Sequence, residues 1–399
     1  MSVTTVPGSA PAPRVAITLF PIIAVIFAGY LVIGLAMPVL PLHVHQGLGF
    51  GTFVVGLVAG SQFCASLVSR FAAGHLADIG GARRVVIIGL FAAAVAGLFY
   101  MLSLSLAGIP AISLAILLLG RAVLGGAESF MVAGALNWGL ALAGRENTGK
   151  VMSWVGTAIY FAYASAAPAG SALFAAYGFT AIALATSIVP LLALLLVLPL
   201  QPIAPSTHTR PALAKVLGAV WWPGLGMALS SVGFGAITTF VALLFAYHGW
   251  SAAWIAVSAI SLTFILGRIA FGHLPDRIGG PPVALACAVI EAAGLALIWL
   301  ASGPLMVFIG SALAGLGYSL VYPGFGIEAV RRAPPENHGF AMGAYTACLD
   351  LALGIAGPLL GLIASGAGLN AVFLASALIA ISGALVAGSL MRARVMKGA

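Results

Sequence analysis

Hydrophobic positions run through this chain in long blocks, and polar ones are confined to the short breaks between them. Placing a break at each cluster of proline, glycine or charge predicts twelve helical spans, at roughly 15 to 37, 52 to 73, 84 to 106, 111 to 140, 151 to 173, 179 to 200, 217 to 246, 252 to 271, 282 to 301, 304 to 329, 340 to 365 and 369 to 391. Arg14 and Arg70 enclose 55 residues without formal charge, Lys150 and Arg210 enclose 59, and Lys215 and Arg268 enclose 52. A bilayer crossing takes about 20 apolar residues as helix, so each stretch is long enough for two. The expected fold class is an all-α polytopic membrane protein.

Composition sharpens this. Of the 399 residues 62% are hydrophobic and 6% are charged, where a soluble domain carries about 25% charge. A water-soluble globular or disordered protein is excluded. Cys64, Cys287 and Cys348 lie in apolar segments, which leaves no disulfide framework and no zinc-ligand spacing. The net charge of +8 would suit nucleic acid in a soluble protein, but here the basic residues sit at span ends, where they orient a protein in a membrane. No nucleic-acid partner is expected. Of the 16 Lys and Arg, 13 fall in the tails and even-numbered connections, and Arg70 and Arg268 are placed at the ends of spans two and eight on the same side. The odd-numbered connections, such as Pro38 to Gly51 and Ala246 to Ser251, hold no Lys or Arg. By the positive-inside rule both termini are cytoplasmic. The Pro-rich tail to Arg14 leads into an apolar run too long for a cleaved signal peptide.

The segment Gln201 to Lys215 (QPIAPSTHTRPALAK) has three prolines and no apolar run, which marks a boundary between two six-span halves. Residues 70–81, RFAAGHLADIGG, match 268–279, RIAFGHLPDRIG, at an offset of 198, close to half the chain. The expected organisation is a cytoplasmic tail at 1–14, an N-terminal six-helix bundle at 15–200, a cytoplasmic linker at 201–216, a C-terminal six-helix bundle at 217–391 and a tail at 392–399. Two related bundles of parallel topology occur in secondary transporters, whose substrate site lies between them near the midplane.

GHLADIGGARRV, Gly74 to Val85, resembles the signature loop between spans two and three of the major facilitator superfamily, with Gly74, Leu76, Ala77, Asp78, Gly81 and Arg83 on the pattern. Ile79 and Ala82 stand where that family usually has basic residues. The second copy keeps Gly272, Leu274, Asp276, Arg277 and Gly279 and has Pro281 and Pro282 at its later basic positions. The glycines suit a tight turn, and Asp78 can accept hydrogen bonds from a neighbouring helix N-terminus; the resemblance implies that Asp78 helps lock one conformation of the transport cycle. GRAVLGGA, Gly120 to Ala127, is similar to the superfamily's span-four motif at Arg121, Gly125 and Gly126. In proton-driven exporters of the family that arginine takes part in proton coupling, and spans one, four, seven and ten line the cavity. Ala167-Pro168-Ala169-Gly170 partly matches the family's antiporter motif, and Gly357-Pro358-Leu359-Leu360-Gly361 matches it better. The resemblance implies the twelve-helix, two-bundle fold and places the chain beside the drug and sugar efflux branch, including arabinose-efflux-like proteins. A monomer in a bacterial inner membrane is expected.

Four ionisable residues are expected inside spans: Arg121 and Glu128 in span four, Glu291 in span nine and Asp350 in span eleven. Each charge near a helix centre costs about 2.5 to 3.5 kcal/mol on insertion scales, so these side chains must face a cavity or a partner, or be neutral. A carboxylate can escape by binding a proton and arginine cannot. Glu128, Glu291 and Asp350 are therefore candidate proton carriers, and Arg121 a fixed positive charge. Arg121 and Glu128 share a helix face but lie about 10.5 Å apart along the axis, so the expected partner of Arg121 is Asp350, about 15 Å into span eleven.

Tyr30, Trp138, Thr238, Thr239, Phe240, Tyr318 and Tyr322 fall along the presumed cavity helices; an apolar and aromatic lining with few polar groups suits a small amphipathic solute. His43 and His45 lack a third ligand, so no metal is expected. No complete Gly-x-x-x-x-Gly-Lys-Ser/Thr loop is present, since Val151 follows the Lys where Gly144 to Lys150 matches its first part, which leaves a proton gradient and no cofactor as the source of energy. An enzyme is not expected, because no nucleophile and base cluster. The expected function is export of small amphipathic molecules in exchange for protons, with protonation of Asp350 or Glu128 releasing Arg121. The alternatives are a proton symporter for sugars or organic anions and a non-transporting membrane sensor.

Overall fold

A computed structural model describes residues 12–144, 147–200, 213–334 and 338–398, with side chains from Leu19 to Ala393 except at 78, 148–149, 213–217 and 338–340. Among the described residues twelve helices are long and apolar enough to cross a membrane. In chain order these spans are Leu19–Gly47, Thr52–Ala77, Ala82–Ser105, Pro110–Ala143, Lys150–Tyr177, Phe179–Val197, Gly218–His248, Trp254–Phe271, Gly280–Trp299, Pro304–Arg332, Ala341–Ala367 and Leu369–Ala393. The expected tail 1–14 and linker 201–216 lie largely outside the described residues. Where a tail was expected from 392, the last helix continues to Gly398, since Met391, Ala393 and Met396 are good helix formers and no proline intervenes.

Two spans are less simple than their apolar blocks predict. Span one ends in a short helix, Leu40–Leu42, and a wide turn, His43–Gly47, where the sequence reads as a loop. Pro41 sits in the first turn of that helix, where its missing N–H costs nothing. Span ten breaks after Tyr318 and resumes at Val321. Pro323 has no N–H to donate back one turn, which favours a break just before it.

The repeated loops form the same turn in both halves. Gly81 has φ 80° and ψ 150°, and Gly279 has φ 93° and ψ 155°, a region open essentially to glycine alone. Arg83 then donates to the last carbonyls of span six, Val197 O at 3.4 Å and Leu198 O at 2.5 Å. A guanidinium there satisfies orphan acceptors and sits at the negative end of that helix.

In the N-terminal bundle span four packs on spans two and three, and span one on spans five and six; in the C-terminal bundle span nine packs on spans ten and twelve, and span eight on span ten. The bundles meet along two seams, span two against span eleven and span five against span eight. The first seam closes backbone to backbone. Thr52 Oγ1 donates to Gly361 O at 2.8 Å, and Gly56 and Gly60 face Gly357 and Gly354 with no room for a side chain. These contacts lie at the end of the molecule that carries the odd-numbered connections.

Candidate functional site

Span two carries Gln62, Ser66 and Arg70 at four-residue intervals, which puts three polar groups on one helix face in an otherwise apolar segment. That face looks across span four and the first seam. Arg70 forms an ion pair with Asp350 of span eleven, its Nε donating to Oδ2 at 2.9 Å. Ser66 donates to the same oxygen at 3.4 Å. The Ser66 and Ser129 hydroxyls lie 2.8 Å apart, and Ser129 Oγ donates to Ser66 O at 2.7 Å. Beside Ser129, Glu128 accepts from Gln62 Nε2 at 2.7 Å and from the Tyr30 hydroxyl at 3.1 Å. Asp350 is 2% exposed, Glu128 9% and Arg70 21%, so the whole chain of groups is largely withdrawn from solvent. Glu128 is within electrostatic reach of both Asp350 and Arg70.

The expected pairing of Arg121 with Asp350 is corrected. Arg121 is buried, with Nε toward Val58 O at 3.3 Å and Nη1 toward the Tyr100 hydroxyl at 3.5 Å, and it meets no carboxylate among the described residues. Span four carries it too far toward the odd-connection end to meet the level of Asp350. Arg70 takes its place. The sequence reading puts Arg70 near a span end because Gly74 looks like a break, but the helix of span two runs from Thr52 to Gly80, leaving Arg70 well inside it. The stripe of Gln62, Ser66 and Arg70 was the available signal.

The other expected residues separate into groups. Glu291 is wholly buried between spans seven, nine and ten, with neither carboxyl oxygen hydrogen-bonded, and it is not joined to the network. Tyr318 donates to Ser231 at 3.3 Å, and the Tyr322 and Thr346 hydroxyls lie 3.0 Å apart. Tyr322 is within electrostatic reach of Arg70, Arg268 and Asp350. Thr238 turns its hydroxyl to Phe234 O on its own helix at 2.8 Å; Trp138 and Phe240 are enclosed in the apolar core. Gly170, after Pro168, packs against the backbone of Leu35, whereas Gly357 and Gly361, flanking Pro358, build the first seam. Asp276 is exposed next to Arg277 on the short helix Leu274–Ile278, a Cβ on Gly74 would meet nothing within 4 Å, and the Asp78 side chain lies outside the described residues. His43 stacks on Phe179 with centroids 4.2 Å apart, and His45 Nδ1 lies 2.7 Å from Phe50 O; the two share no ligand geometry.

Sequence reading missed an aromatic cluster at the second seam. Tyr160 of span five stacks on Phe264 of span eight with centroids 3.6 Å apart. Phe234 and Tyr318 continue it from the C-terminal bundle, and Tyr163 links it to Tyr30 at 5.7 Å. Rigid rings therefore lead from this seam to the hydroxyl that holds Glu128.

The family model of the Major Facilitator Superfamily matches residues 22–279 and 223–397. The chain is 40% identical over 376 residues to an uncharacterized MFS-type transporter of Salmonella typhimurium, covering 94% of this chain and 97% of that one. It is 42% identical over 357 residues to the uncharacterized MFS-type transporter YhhS of Escherichia coli K12, covering 89% and 88%. Among solved structures it resembles a bacterial homologue of the human lysosomal transporter Spinster in an inward-facing, unoccupied conformation, with TM-score 0.75, 14% identity and coverage of 95% and 97%. It also resembles the Escherichia coli fucose:proton symporter FucP, with TM-score 0.65, 16% identity and coverage of 94% and 98%. At those identities the structural likeness speaks for the fold, while the family match and the close relatives span nearly the whole chain. The protein is a multi-pass membrane transporter and belongs to the Major Facilitator Superfamily.

Proposed function

We propose that the protein exports small amphipathic molecules in exchange for protons, and that Asp350, Glu128 and Arg70 couple the two movements. The observation that carries this reading is the ion pair across the first seam, Arg70 of one bundle with Asp350 of the other. A proton on Asp350 removes the attraction between the bundles at that point and leaves Arg70 to the field of Glu128 on its own side. Breaking a buried pair by neutralising one partner costs about 3 to 5 kcal/mol, enough to bias a two-state equilibrium by two orders of magnitude or more. The Ser66–Ser129 contact ties Asp350 to the segment that carries Glu128, so a proton arriving at either carboxyl is felt at both. Arg121, off the network, is a fixed positive charge held by Val58 O and the Tyr100 hydroxyl. Export is favoured over uptake by the antiporter-like glycine and proline pattern around Pro168 and Pro358. The cytoplasmic placement of both termini rests on the basic residues of the tails and even-numbered connections.

The test uses Asp350→Asn and Glu128→Gln in vesicles with an imposed pH gradient and a panel of amphipathic solutes. Each variant is expected to retain solute exchange at equal pH and to lose gradient-driven accumulation. Wild-type gradient-driven transport by both would remove the carboxyls from the coupling step. Solute moving with the proton flux, and not against it, would make the protein a symporter.

A further inference from the structure

The internal repeat relates the two seams, so positions in the first have counterparts in the second. The repeated loop sets Arg70 against Arg268, and the shared glycine turn at Gly81 and Gly279 fixes that register. Pro168 and Pro358 set spans five and eleven 190 residues apart. The contacts agree with both offsets: Gly60 faces the Gly354 carbonyl, and Ser258, its counterpart, donates to the carbonyl of Ala164, the counterpart of Gly354, at 2.8 Å. In this register the residue that corresponds to Asp350 is Tyr160. The arginine is present in both halves and its carboxylate in one.

Arg268 is partly buried and reaches from span eight toward span five, where a Cβ on Gly156 would stand 3.2 Å from its Nη1. Among the described residues it has no ion pair and no hydrogen bond from its guanidinium. Its neighbours are the Phe264 ring, with the centroid 6.0 Å from the guanidinium carbon, and the Tyr160 and Tyr322 hydroxyls within electrostatic reach. A permanently charged side chain held without a counter-ion inside a membrane protein is costly. Beside it, the stacked rings of Tyr160 and Phe264 and the Tyr318 ring, 5.7 Å from Phe264, form an apolar wall. A guanidinium fork takes a carboxylate through two hydrogen bonds, and rings take the apolar body attached to it.

We propose that Arg268 is the anion-docking residue of the substrate site, and that the transported molecules are amphipathic monoanions whose carboxylate stands against Arg268 as Asp350 stands against Arg70. This deepens the transport reading above and rests on it: the proton site lies on the first seam and the anion site on the second, with Tyr322 in the field of both.

Purified full-length protein in lipid nanodiscs is titrated with two acid series, hexanoate to decanoate and benzoate to 4-phenylbutyrate, and with the neutral amide of each. Wild-type protein is expected to bind the best acid at least about tenfold more tightly than its amide. Arg268→Gln should bring acid and amide to parity, and Arg268→Lys should retain part of the difference. Tyr160→Asp, which supplies an internal carboxylate where the repeat has one, should also abolish the preference; size-exclusion profile and melting temperature show that each variant is folded. The proposal is overturned if no acid in either series binds in an Arg268-dependent way, if amides bind as well as acids, or if folded Arg268→Gln and Tyr160→Asp keep the preference. An Arg268-dependent preference supports it even where a pH gradient fails to drive the same acid across vesicles, a result that strikes the proton-coupling reading alone.

Discussion

Replacing Gly56 by alanine drives a wedge into the first seam. The new Cβ would stand 1.9 Å from the Gly357 carbonyl oxygen, where real Cβ atoms keep at least 3.0 Å. Both atoms are fixed to backbone, so no rotamer change relieves the clash, and spans two and eleven must part by about 1.1 Å, the shortfall between those distances. Overpacking of this size costs about 1 to 3 kcal/mol, which biases an equilibrium between a closed and a parted seam by about 5- to 150-fold. Because the seam lies at the odd-connection end, the bundles should separate there. Spin labels at Gly108→Cys, on the connection between spans three and four, and Tyr247→Cys, in the last turn of span seven, lie at that end in opposite bundles and report the separation once Cys64, Cys287 and Cys348 are replaced. Electron–electron distance measurements should show Gly56→Ala moving population to longer distances than the parent protein. Gly388→Ala, where a Cβ meets nothing within 4 Å, is the control and should not. An unchanged distance distribution together with an unchanged melting temperature would refute the closed seam as described.

Asp350→Leu leaves the Arg70 guanidinium without its partner and should cost about 3 kcal/mol, the lower end of the range for buried pairs because Arg70 is 21% exposed. Arg70→Met with Asp350→Leu should regain most of that loss, read as melting temperature in detergent. Gly81→Ala and Gly279→Ala force a Cβ into a glycine-only backbone region and should each cost about 1 to 2 kcal/mol; Gly74→Ala should stay within about 0.5 kcal/mol in the same assay. Glu291→Gln removes no hydrogen bond and should leave both melting temperature and gradient-driven transport at the parent values, whereas loss of coupling in that variant would bring Glu291 into the proton path.

The spans, the two-bundle division and the repeat were legible because a bilayer writes its requirement as long apolar blocks, and because gene-scale repetition survives in the loop at 70–81 and 268–279. The buried carboxyls were legible for the same reason: an acid inside an apolar block has nowhere else to be. Their partners were not. Whether Arg70 or Arg121 meets Asp350 depends on the rotation and depth of helices that neighbour each other only across the bundle interface, and neither quantity is local in sequence. The end of span two was misread for a related reason, since Gly74 breaks an isolated helix but not one held by tertiary packing. The break in span ten had its signal in Pro323, and the stacked Tyr160–Phe264 pair had none, because aromatic residues in a membrane helix look alike whether they face lipid, core or seam.

Symmetry in the backbone and asymmetry in the charges together set a limit on the substrate. At the interface and its flanks stand Arg70, Arg121 and Arg268, always positive, against Asp350 and Glu128; Glu291, sealed in the C-terminal bundle, is apart from them. With both acids ionised these five groups sum to one positive charge; Arg121 and Arg268 both lack a carboxylate, but Arg121 is held by Val58 O and the Tyr100 hydroxyl, which leaves Arg268 as the guanidinium with no hydrogen bond among the described residues. Charge held away from water is costly unless balanced, so a bound monoanion neutralises the ensemble, a dianion overshoots it and a cation deepens the imbalance. Protonating one acid raises the ensemble to two positive charges with the cavity empty, and to one with a monoanion bound. The same arithmetic makes a proton and a monoanion favour each other's binding on electrostatic grounds alone, so obligatory exchange requires that the two be accommodated in different orientations of the bundles. A doubly charged acid should therefore bind more weakly than its monoester at equal apolar size. Tighter binding of the dianion would mean that the positive charges act as a set and that Arg268 is not the single unfilled position.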